Sequence, residues 1–174
     1  MQLSLATKWP FSHRLRAVKM AQTTNHTSIK VQIEDFDFSK EVDYLEENNS
    51  TDGAVVTFIG RVRDNNEGLK VENLFLEHYS GMTEKCLADI VLKAREQWQI
   101  GNVSVIHRYG QLNIGDKIVF VGVTSKHRKD AFSAAEFIMD YLKVSAPFWK
   151  KEQTEQGERW LDAKNNDQLE ADKW

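Results

Sequence analysis

Residues 124–152 read TSKHRKDAFSAAEFIMDYLKVSAPFWKKE: a cationic helix start, a mostly apolar helix and a second cationic cluster in close succession. Ser125 is placed to cap the helix, which puts Lys126, His127, Arg128 and Lys129 at its first turn. Unpaired backbone N–H groups and the positive end of the helix dipole already favour negative charge there. Cations in that turn work against the helix, so a bound anion is expected to compensate them. Solvated surface charge is the plainer explanation of any Lys/Arg run, but the second cluster argues against it here. Phe132, Ala135, Met139 and Leu142 recur at helical spacing as the inward stripe, Lys143 stands in the last turn, and Pro147 ends the helix. Lys150 and Lys151 then follow Phe148 and Trp149, bulky groups able to hold ammonium groups in a partly dry pocket.

Upstream, Lys117 to Thr124 is apolar on both faces and reads as a buried strand running straight into the cationic helix start. Gly53 to Gly60 has the same character and delivers Arg61-Val62-Arg63 to its end. Asp64 to Gly68 reads as a turn, and Lys70 to Tyr79 as a returning strand, so a hairpin is predicted. Thr83 to Trp98 is an amphipathic helix with Cys86, Leu87, Ile90, Val91 and Ala94 inward. Ile29, Val31 and Ile33 alternate as a first strand, and a short helix follows, capped by Asp37 or Ser39, with Val42 and Leu45 inward. Val103, Val105 and His107 alternate as another strand, in which His107 reads as a packed or hydrogen-bonded residue. Gly110 to Asp116 reads as a turn, residues 149–162 as a terminal hairpin, and the last dozen residues as polar. The fold class is α+β, with antiparallel hairpins and two main helices packed on one sheet.

A chain of 174 residues with 41% hydrophobic content is long enough for one well-buried core. The formal charge is -3, yet five of the 23 basic residues and none of the 26 acidic ones lie in residues 1–33. An otherwise acidic domain with one concentrated basic site suits a small anionic ligand better than a polyanion, and base-stacking aromatics are not interleaved with its cations. Nucleic acid is therefore not an expected partner. Cys86 is the only cysteine, so there is no disulfide framework or cysteine-based metal site, and a reducing, cytoplasmic setting is expected. No run approaches the roughly 18 apolar residues that span a bilayer. Residues 1–28 form a basic N-terminal extension to a domain at 29–174. Initiation at Met20 explains the extension more simply than a transit peptide does.

Gly53–Arg63, Leu76–Met82, Val105–Gly110 and the whole of 119–152 carry a resemblance. They are similar to the catalytic large subunit of molybdopterin synthase, from about Ile29 to Trp174, with 137–143 and 146–151 the most specific parts. The resemblance implies an α/β hammerhead-like fold and a homodimer of large subunits. Each outer end would carry a small ubiquitin-like sulfur-carrier subunit, completing a heterotetramer. The small subunit's Gly-Gly tail, as a thiocarboxylate, would enter the pocket and give sulfur to cyclic pyranopterin monophosphate; two transfers make the dithiolene of molybdopterin. The family's substrate pocket falls on Arg61, Val62, Arg63, His127, Arg128, Lys143, Lys150, Lys151 and Glu152, with Lys143 and Lys150 as the catalytic pair. A neighbouring-subunit contact that is arginine in some relatives falls on Lys164, which keeps the charge but not the bidentate fork. No cofactor or metal is implied.

This chemistry suits the residues. Substrate phosphate and thiocarboxylate repel by about 4 kcal/mol at 4 Å and intermediate dielectric unless cations stand between them. Lys143 and Lys150 are candidates for proton transfer and for holding charge at the tail carbonyl as sulfur leaves. A non-catalytic adaptor docking a ubiquitin-like partner is the alternative, but it has no need of a lysine at the helix end beneath an Ala-Pro-Phe-Trp turn. Cys86 as a sulfur carrier would want an electropositive, exposed setting, and its place on an inward helix face argues against it.

Overall fold

Two strands that are apolar on both faces sit at the centre of the chain. The computed structural model describes residues 25–161 and 165–174. In chain order its elements are β1 (Thr27–Gln32), α1 (Phe38–Glu46), β2 (Ala54–Arg61), β3 (Asn65–Asn66), β4 (Leu69–His78), α2 (Met82–Gln97), β5 (Ile100–Arg108), β6 (Gly110–Asn113), β7 (Lys117–Ser125), α3 (Arg128–Ser145), β8 (Phe148–Thr154), β9 (Gly157–Leu161) and α4 (Asn165–Ala171). One sheet has the order β1-β5-β7-β2, with β1 parallel to β5 and the other pairs antiparallel. β5 and β7 are central and buried on both sides. Val103, Val105, Val119, Val121 and Val123 pack with α2 and α3, while Ile106 and Phe120 pack with Phe36 and Leu45 on the side of α1. Burying a side chain such as Phe137 or Ile138 in this core stabilises by about 1.5–3 kcal/mol.

The second sheet runs β3-β4-β8-β9, with β6 also paired to β4, and has its own small core of Val62, Leu74, Leu76 and Leu112. Two of the direct crossings between the sheets are tightly fixed. Past the register shift at Gly60/Arg61, the Val62 N–H donates to the Asp116 carbonyl and the Gly115 N–H to the Val62 carbonyl. Between β5 and β6, Gly110 turns the backbone at φ +82°, a conformation open to glycine without a Cβ clash.

Several local expectations need correcting. β2 is apolar on both faces but is an edge strand, leaving Val55 at 40% and Phe58 at 43% exposure. It pairs with β7, so the predicted hairpin is confined to β3 and β4, and the two hairpin partners of β2 and β4 lie in different sheets. The 110–116 segment contains strand β6 as well as a turn. The α3 cap is His127, without a side-chain bond; the Ser125 hydroxyl donates to the Gln99 carbonyl at 2.7 Å because β7 continues through it. The inward face of α3 is Ala131, Ala134, Ala135, Phe137, Ile138 and Leu142, and Phe132 points outward at 62% exposure. The polar C-terminus folds as α4; Trp174 ties it to α3 through an edge contact with Phe137 and an indole bond to Asp140, and to the end of α2 through an edge contact with Trp98. Among the described residues the first strand begins at Thr27, two residues before Ile29, and Asn25 and His26 bond to Ile100 and Asn102.

Candidate functional site

α3 crosses back over β7, so its two ends serve opposite ends of the first sheet. Its start follows Ser125, which pairs with Ala54 at the beginning of β2. Its end therefore lies toward the other end, where Arg61 pairs with Lys117. At a rise of about 1.5 Å per residue, Arg128 and Lys143 are separated by roughly 22 Å along the helix. The cationic site residues of one chain thus fall into two groups.

The first group gathers where the sheets meet. Val62 is buried on Leu74 and Leu76, and these β4 residues stand opposite Glu152 and Lys150 in the ladder with β8. Lys150 and Glu152 share a face of β8 by strand alternation. Glu152 is 6% exposed and accepts from Asn66 at 2.8 Å and from Arg159 at 3.1 Å, so a fixed buried carboxylate stands two residues from a half-buried ammonium. Lys143, in the last turn of α3, pairs with Asp167 of α4 at 3.0 Å and remains 45% exposed. Arg61 and Arg63 are exposed beside this group, Arg61 donating to the Gly115 carbonyl at 2.7 Å. Lys151 points to the other face of β8, over the rings of Phe75 and Trp160 and paired with Glu158 at 3.0 Å. Its side chain therefore does not line the space that Lys150 and Glu152 share.

The second group, His127 and Arg128, is exposed at the start of α3 with Lys126 and Lys129. Asp130 in the same turn offsets part of that charge. Lys164 lies outside the described residues. Cys86 is half-buried, its thiol donates to the Ser145 carbonyl at 3.4 Å, and burial, reinforced by Asp89, pushes its pKa up. That is the opposite of an activated sulfur nucleophile. Among the described residues no three His, Cys, Asp or Glu side chains are grouped to hold a metal, and no helix is long and apolar enough to cross a membrane. Asp167 and Arg159, which partner Lys143 and Glu152, carry no signal in the sequence, because each lies in a polar stretch whose folding partner is remote. His107 is 3% exposed, and burial pushes its pKa from 6.5 down to about 3, with the Lys150 and His78 charges adding to the fall and the Arg108 carbonyl opposing it.

Comparison with known proteins identifies the family. The family model described as MoaE protein matches residues 31–145. The molybdopterin synthase catalytic subunit of Escherichia coli K12 is 55% identical over 148 residues, covering 85% of this chain and 98% of that relative. Among solved structures, the molybdopterin biosynthesis MoaE protein of Burkholderia ambifaria MC40-6 superposes with a TM-score of 0.73 at 46% identity, covering 85% of this chain and 97% of that one. The molybdopterin synthase of Staphylococcus aureus gives a TM-score of 0.71 at 38% identity over 76% of this chain and 95% of that one. By sequence over most of its length and by fold, the chain belongs to the MoaE family of molybdopterin synthase catalytic subunits.

Proposed function

We propose that this chain transfers sulfur from the thiocarboxylated Gly-Gly tail of a small ubiquitin-like subunit to cyclic pyranopterin monophosphate, forming the dithiolene of molybdopterin. The observation that carries the reading is that Val62 packs on the β4 residues paired with Lys150 and Glu152, and that the last turn of α3, carrying Lys143, leads through Ala146-Pro147 into the same strand β8. Lys143 is held by Asp167, a partner that an incoming anion can replace. Lys150 is half-sheltered, which strengthens its pull on negative charge at the tail carbonyl as sulfur leaves. Glu152, locked by Asn66 and Arg159, fixes this part of β8 two residues from Lys150.

His127 and Arg128 stand a helix length away and act on the substrate of a second copy. A homodimer then sets the cationic helix start of one chain against the Lys143 end of the other, and with a small subunit at each outer end the assembly is a heterotetramer. The roughly 22 Å between Arg128 and Lys143 supports this division of labour, since the substrate and both side chains would have to stretch to bridge it within one chain. The deciding experiment mixes the purified chain with thiocarboxylated small subunit and cyclic pyranopterin monophosphate. Molybdopterin forms if the reading holds. Complex formation without product leaves only the docking adaptor.

A further inference from the structure

Two motifs that the proposed chemistry does not use, Leu76–Met82 and Val105–Gly110, meet at a single ring. His107, near the end of β5 in the first sheet, lies flat on Phe148, the first residue of β8 in the second sheet, with ring centroids 3.7 Å apart and planes 21° apart. Its Nδ1 is 2.8 Å from the Arg108 carbonyl, an acceptor only, so Nδ1 carries the proton and the ring orientation is fixed. His78 stands opposite Phe148 in the β4–β8 ladder, 6.2 Å from it, and rests on Tyr109 at 4.3 Å. Phe148 follows the Ala146-Pro147 bend, and its N–H donates to the Ala146 carbonyl at 2.8 Å as β8 begins. Phe148 and Lys150 project from the same face of β8, two residues apart.

We propose that His107 is a positioning residue for Lys150: by clamping Phe148 from the opposite sheet it sets the line along which the Lys150 ammonium enters the pocket. The inference rests on the reading of Lys150 as part of that pocket. A fully buried imidazole next to a working lysine has a second use in staying uncharged, since a cation there would repel the ammonium it orients. An aliphatic side chain fills the space without presenting a flat face to Phe148. Small displacements of a charge-stabilising group are costly in rate while leaving binding largely intact.

Product formation in a single turnover, with dissociation constants for the small subunit and for cyclic pyranopterin monophosphate, tests this in His107→Leu, His107→Phe, Lys150→Ala and the double variant His107→Leu/Lys150→Ala. His107→Leu should slow the saturated rate by about tenfold or more with binding altered by less than about twofold. His107→Phe keeps a ring to stack on Phe148 and should restore most of the rate. In the Lys150→Ala background His107→Leu should cause no further loss, because the group it positions is gone. Equal losses in both backgrounds would make His107 merely structural, and a normal rate for His107→Leu would remove its role. If His107→Leu does not fold, His107→Gln, which keeps a donor for the Arg108 carbonyl but no ring, takes its place in the same comparison. A Lys150→Ala protein with full activity would sink the site reading along with this inference; a slow Lys150→Ala beside a normal His107→Leu would sink the inference alone.

Discussion

Acidifying the protein from pH 7 to pH 5 should remove about 2 kcal/mol of stability through His107 alone. Burial pushes the pKa of this side chain from 6.5 down to about 3, with Lys150 and His78 contributing and the Arg108 carbonyl opposing. The unfolded chain therefore takes up the proton first. The stability gained by keeping the ring neutral is complete above pH 6.5 and is lost as the pH falls from 6.5 toward 3. Each pH unit in that window removes about 1.4 kcal/mol, and about one and a half units of it lie between pH 7 and pH 5. Urea unfolding at fixed protein concentration measures the effect in the wild type and in His107→Phe, which cannot titrate. Carboxylates and the other histidines are common to both proteins, so the difference between their pH dependences isolates His107. The wild type should lose about 2 kcal/mol more than the variant over this step. Parallel curves would mean that position 107 takes up its proton in the folded state as readily as in the unfolded one, and the account of a dry, neutral imidazole beneath Lys150 would fail.

Cys86→Ala should cost about 1 kcal/mol through a small cavity and a lost weak bond to Ser145, and sulfur transfer by the folded variant should be unchanged; a persulfide on Cys86 during turnover would contradict this. Arg128→Ala should weaken substrate binding by roughly 1.5–3 kcal/mol, the worth of a charge-assisted hydrogen bond, with His127→Ala losing less. A mixed dimer of Arg128→Ala and Lys143→Ala chains should recover activity at one of its two sites, because one site then draws both intact residues from different chains; no recovery would put both residues in the same chain's pocket. A chain beginning at Met20 should match the full chain in melting temperature, whereas one beginning at Ile29 should melt lower, since it lacks the Asn25 and His26 bonds to Ile100 and Asn102.

Most of the elements were legible because their apolar periods are long and regular: β5, β7, α2 and α3 each bury a face that the side-chain pattern marks out. Bulk was a poor guide to direction in α3, where small alanines at 131, 134 and 135 lie against the sheet and the larger Phe132 faces outward. β2 misled because apolar character on both faces signals burial only if something covers both faces, and an edge position is invisible locally. The division into two sheets follows from long-range pairings such as Leu76 with Lys150, which no short window contains. The same limit governs the site. The cationic residues stood out as residue types beside aromatics, but the partners that fix them did not: Asp167 for Lys143, Arg159 for Glu152 and His107 for Phe148 are 24, 7 and 41 positions away. That Lys151 turns away from Lys150 follows from strand alternation once β8 is recognised as a strand.

Whether sulfur moves at the Lys143–Lys150 end of α3 and β8, as proposed, is read from the single-turnover rate of molybdopterin formation by Lys143→Ala with saturating thiocarboxylated small subunit and cyclic pyranopterin monophosphate. The variant should still bind both and yet form product slower by a factor on the order of a hundred or more, as for loss of a positioned acid–base or charge-stabilising group. Lys143→Arg should recover little of that rate, since arginine keeps the charge but holds its proton at any working pH. A near-normal rate for Lys143→Ala with both ligands bound would contradict the account and move the chemistry away from this end of the helix.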